Sequence, residues 1–117
     1  MTQEDKKLLL IDLCARLPYY TELYSNVADG NWAILTPVVI SNLMSATDKL
    51  VIKPYLRSMS SMTEEEKQVL ELCNAFVEPR SIELKVDFYN QYHFDFRGLI
   101  EKGLAIEVTE ENNPYKE

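Results

Sequence analysis

The sequence predicts an α+β domain: an N-terminal helix, a small antiparallel sheet of three to four strands, and two to three C-terminal helices on one face of that sheet. Three observations carry this expectation. Cap and stop signals bracket a helix between Thr2 and Pro18, and a second helix opens at Thr63. The stretch 19–56 is rich in Tyr, Val, Ile, Leu and Thr and holds a turn signal at Asp29-Gly30-Asn31, which is strand composition. A chain of 117 residues can bury one core without metal or disulfide staples.

Taken in order, Thr2 is placed as the cap of the first helix, with Asp5 as the capping-box acid and Pro18 forbidding continuation beyond Leu17. Between Leu8 and Leu17 only Asp12 and Arg16 are charged. Their i,i+4 spacing reads as one narrow solvated stripe on an apolar cylinder, which is either the central core helix or partly an oligomer contact. Strands are then expected near Tyr19–Val27, from Trp32 to about Ile40, and near Lys49–Lys53, with a hairpin turn at 28–31. Pro37 would make the second strand an edge or a bulge, Ser41–Asp48 would be a polar loop, and Pro54 would stop the third strand.

Thr63-Glu64-Glu65-Glu66 is the strongest local signal: Thr63 caps, Glu66 reaches back, and the acids sit where the helix dipole favours anions. These glutamates therefore read as a helix start and not as a metal site. Val69, Leu70, Cys73, Phe76 and Val77 follow on one apolar face. Residues 81–88 alternate like a strand, yet Ile82, Val86, Tyr89 and His93 also form a helical stripe, and Glu78-Pro79 favours the helix.

Residues 93–108, HFDFRGLIEKGLAIEV, hold the only histidine and two of the three glycines. Asp95 reads as the cap of a two-turn helix over 96–102, accepting from Arg97 or Gly98, with Gly103 as the left-handed residue that ends it. Gly98 inside that helix implies close packing against it. His93 is the one candidate acid or base, but its spacing offers no partner for catalysis. It reads as structural, with His93 and Arg97 kept as candidate partner-binding residues beside Tyr20, Tyr24 and Trp32. Such strand aromatics more often form core or cross-strand pairs than base-stacking platforms.

The composition excludes several classes. No apolar run approaches the roughly 18–20 residues of a bilayer span, and the first residues lack the order of a secretory signal, so a cytoplasmic protein is expected. Cys14 and Cys73 stand far apart on apolar helix faces and read as buried thiols. No cofactor or metal is expected, since phosphate-loop, zinc and hydrolase motifs are missing. The net charge of −7 falls wholly within residues 63–117, with 13 acidic and six basic side chains. That field disfavours direct nucleic-acid binding and suits either solubility or a basic partner. The domain is expected to span 1–108, with 109–117 as a mobile acidic tail.

The blocks LCARLPY (13–19), KPYLRSMSSMTEEE (53–66) and YHFDFRGLIEKGLAIEV (92–108) resemble a group of small uncharacterised proteins of gut anaerobes, often encoded in prophage-like or mobile-element regions. Ser58 stands where that pattern usually has proline, and 20–52 shows no match. The resemblance favours a helix over 82–93 and implies a phage or mobile-element setting, with no activity attached. The expected function is thus a non-enzymatic interaction or regulatory protein with an unidentified protein partner. The alternative is a nucleic-acid-directed regulator, binding through sheet aromatics or mimicking DNA.

Overall fold

In the computed structural model, which describes residues 2–45 and 49–115, the α+β class holds. Helix α1 (Gln3–Arg16) runs into a 3-10 turn at Leu17–Tyr19, followed by β1 (Glu22–Ser25), a loop with a 3-10 turn at Asp29–Asn31, β2 (Trp32–Ile34) and α2 (Pro37–Ser45). Strand β3 (Ile52–Leu56), helices α3 (Glu64–Asn74) and α4 (Arg80–Gln91), and the short β4 (Ile106–Glu107) complete the order.

Both expected capping boxes form. Thr2 Oγ1 accepts from Asp5 N at 3.0 Å, and Thr63 Oγ1 accepts from Glu66 N at 3.2 Å. In the loop between β1 and β2, Gly30 and Asn31 both take left-handed backbone (φ 67° and 56°), the conformation these two residue types adopt most readily. Tyr24 stands opposite Trp32 in the resulting register.

The sheet has the order β2-β1-β3-β4. Its first three strands are antiparallel as expected, but β4 joins β3 in parallel, so the sheet is mixed. Inward positions alternate along β3 (Ile52, Pro54, Leu56), and Leu23 does the same in β1. Leu9 and Leu13 of α1 pack into this layer with Leu35, Leu43, Leu99 and Leu104, so α1 is the core helix.

Two prolines overturn the strand boundaries. The segment from Pro37, expected to continue a strand, is α2. Pro37 occupies the first helical position, where its missing N–H costs nothing, and Thr36 Oγ1 accepts from Val39 N at 3.4 Å. Residues 41–45 of the expected loop lie in that helix, whereas 46–48 lie outside the described residues. Pro54, expected to stop the third strand, sits buried inside β3. Asn26 N donates to Val51 O, which makes Leu23 and Pro54 a pair without mutual hydrogen bonds. The nitrogen of Pro54 therefore faces the β4 side, where pairing begins only at Tyr55.

Residues 82–91 are helical, within α4, and α3 packs against α4 as a helical hairpin. Of the five apolar residues expected on one face of α3 and just beyond it, only Cys73 is buried. Cys14, also expected inside, is exposed, because it lies on the side of α1 away from the sheet. No described helix is long and apolar enough to cross a membrane.

Candidate functional site

The polar residues near the end of α4 converge, but on one another. Asp12 and Arg16, expected as a solvated stripe, are both wholly buried. Asp12 accepts from Arg16 Nε at 2.8 Å with one oxygen and from Arg97 at 2.8 Å with the other, while Arg16 donates at 2.6 Å to the carbonyl of Phe94. The burial follows from partners 78 and 85 residues away. Both guanidiniums also lie against the Phe96 ring, Arg97 at 4.2 Å and Arg16 at 5.9 Å.

A second pair buttresses the same segment from outside. Arg57, at the end of β3, makes a two-pronged contact with Glu66 at 2.6 and 2.7 Å and lies 4.3 Å over the Phe94 ring. This contact and the Thr63 cap hold the Glu66 carboxyl below the usual carboxylate range. Arg57 N donates to His93 O and Asp95 N to Arg57 O, both at 2.8 Å, so 93–95 runs as an extension of the sheet.

The opening of 93–108 is not the expected two-turn helix. Asp95 accepts from Leu99 N at 2.8 Å and Ile100 N at 2.9 Å, not from Arg97 or Gly98, and so staples a turn. Gly103 closes it as expected: its N–H donates to Ile100 O while Leu104 N donates to Leu99 O, the paired bonds of a left-handed helix stop (φ 72°). Gly98 is needed for its φ of 76° and not for close packing, since a Cβ there would meet nothing within 4 Å.

His93 also has left-handed backbone, at φ 64°. Its imidazole lies face to face with the Tyr115 ring, 3.8 Å between centroids and 10° between planes. Burial, together with the charges of Arg16 and Arg57, pushes it down to about 4, so it is neutral at pH 7. The hydroxyl of Tyr115 donates to Tyr55 O at 2.7 Å and accepts from Glu22 N at 3.0 Å. Tyr115 thus joins the fold from the segment expected to lie outside it.

The five candidate partner-binding residues do not meet at one place. Arg97 is held by Asp12 and His93 by Tyr115, whereas Tyr20 is 77% exposed beyond the end of α1 and Trp32 is half exposed on β2. The sequence reading missed Arg57, Glu22 and Tyr115. Among the described residues no His, Cys, Asp or Glu group is arranged to hold a metal.

Exposed apolar surface lies elsewhere. On α3, Val69 and Leu72 stand one helical turn apart on one face, Leu72 at 67% exposure, and Phe76, just past the end of the helix, is 55% exposed. Val77, at 84%, and Ile82, at 48%, extend the patch around the turn into α4. Glu65 stands one helical turn before Val69 on the same face, and Glu71, Glu78 and Glu83 are exposed beside the patch. A second apolar surface, a groove of about 630 Å³, lies between α1 and α2 over Leu10, Ile11, Cys14 and Met44, with Lys6 and Lys7 on its rim.

No protein-family model, curated protein or solved structure matches the chain.

Proposed function

We propose that this chain is a non-enzymatic interaction module of phage or mobile-element origin that captures a basic, amphipathic segment of a partner protein on the α3–α4 hairpin. The observation that carries the reading is the exposure of Leu72, Phe76 and Val77 beside Glu65, Glu71 and Glu78. Large apolar side chains left in water gain nothing on folding, and a contiguous group of them marks a surface suited to a partner.

The chemistry of the partner follows from charge. Residues 63–91 carry seven acidic and three basic side chains, so two hairpins facing each other would repel, whereas a helix with leucine on one side and lysine or arginine flanking it would match both parts. The origin rests on the three sequence blocks. His93, Arg97 and Asp12 support the non-enzymatic reading because each is committed to contacts within the fold.

Calorimetric titration with a synthetic leucine–lysine amphipathic helix tests this, with a leucine–glutamate helix of the same pattern as control. The basic peptide is expected to bind with an affinity that falls as salt rises, and the acidic one to give no heat of binding. Equal binding of both peptides, or of neither, would contradict the proposal. Because the α1–α2 groove is apolar with Lys6 and Lys7 on its rim, sedimentation of the free chain checks whether copies compete for the hairpin.

A further inference from the structure

We infer that the notch where β1 and β3 part is a binding site for a para-substituted phenol, filled in cis by Tyr115 and open to an outside phenolic ligand when segment 109–115 lifts away. The inference is independent of the hairpin reading. Tyr24 pairs with Lys53 and Leu23 with Pro54, so in register Glu22 stands next opposite Tyr55. In an unbroken ladder Glu22 N would donate directly to Tyr55 O.

Instead the Tyr115 hydroxyl stands between them, accepting at 3.0 Å from one and donating at 2.7 Å to the other. A group that donates and accepts at one atom completes this gap, as a hydroxyl does, and the aromatic wall beside it favours a hydroxyl carried on a ring. The wall is equally specific: the His93 ring lies parallel to the phenol at 3.8 Å, held by its left-handed backbone and by the Arg57 N–H on its carbonyl. Neutral imidazole suits such stacking. His93 Nδ1, on the stacked ring, is buried without a protein partner among the described residues, so a ligand with a further polar substituent has a group to meet.

The occupant is weakly tethered. Among the described residues, the hydrogen bonds of segment 109–115 other than those of the Tyr115 hydroxyl are internal, between Thr109 and Asn112 and from Tyr115 N to Asn113, and residues 109–113 are exposed. Tyr115, with the half-buried Pro114 beside it, therefore carries the docking. A short tether of this kind competes at an effective concentration in the millimolar range, which an external ligand can match.

The test uses the whole chain with Tyr115→Ala, titrated with p-cresol and separately with toluene, following the Glu22 amide and His93 ring resonances by NMR. Saturable shifts with p-cresol are expected, with toluene at least about 10-fold weaker because it leaves both backbone groups unpaired. In the wild-type chain p-cresol should bind at least about 10-fold more weakly than in the variant, and its binding should release the Tyr115 ring resonances towards their unfolded positions. A folded variant that gives no saturable shift, or equal binding of toluene and p-cresol, overturns the inference. If the variant does not fold, the wild-type titration decides: p-cresol must move Glu22 and release Tyr115 where toluene does not, and failure to do so overturns it.

Discussion

Replacing Asp12 by asparagine should cost this protein about 3–5 kcal/mol, the penalty typical of breaking a buried ion pair from one side. Both Asp12 oxygens are paired at 2.8 Å, and neither Asp12 nor Arg16 has any exposed side-chain surface, so Arg16 cannot recover its lost partner from water. Arg97, at 18% exposure, can turn partly outwards, and most of the penalty therefore falls on Arg16. For a chain whose total stability is expected to be about 5–15 kcal/mol, the loss is a large fraction. Urea denaturation should show the midpoint falling by about 2 M, taking a slope of roughly 2 kcal/mol per M. A shift below about 0.5 M, the size expected of a solvated helix pair, would refute the buried arrangement. Replacing Asp12 with leucine and Arg16 with methionine together should recover more than half of the loss, because no isolated charge remains inside.

Two further outcomes follow from the same segment. His93 takes up its proton near pH 6.5 when unfolded but only near pH 4 when folded, so its contribution to stability is fully present above pH 6.5 and is lost as pH falls towards 4. The change is at most about 3 kcal/mol, and His93→Asn, which tolerates the left-handed backbone, should remove it. Urea titrations of both proteins from pH 4 to 7 check this, and a pH-independent difference between them would contradict it. Gly98→Ala should cost about 1–2 kcal/mol in the same assay, from backbone strain alone, and Gly98→Asn less than half of that; a loss above about 3 kcal/mol would mean a steric clash that the open space at Gly98 does not provide.

What was legible in the sequence was local. The capping boxes at Thr2 and Thr63 and the left-handed stop at Gly103 are each completed within a few residues, and each formed as read. Asp12 and Arg16 show the opposite case: an i,i+4 acid–base pair looks identical on a wet or a buried face, and only Arg97 and the Phe94 carbonyl decide which. At Thr36-Pro37 the helix-start signal was present but was outweighed by the β-branched residues that follow. The strand at 52–56 hid behind Pro54 because whether a proline can join a sheet depends on which neighbour its nitrogen faces. Tyr115 gave no signal at all, since a single tyrosine in a polar segment reveals its pocket only when His93, Glu22 and Tyr55 are assembled.

Capture of a basic helix on the α3–α4 hairpin is decided by the affinity of the leucine–lysine helix for Phe76→Ala against the wild-type chain. Phe76 is 55% exposed and outside the core, so the variant should keep its stability within about 0.5 kcal/mol while binding at least about 10-fold more weakly. An unchanged affinity in the stable variant would mean that the acidic field alone attracts the peptide and that the apolar patch of the hairpin does not bind it.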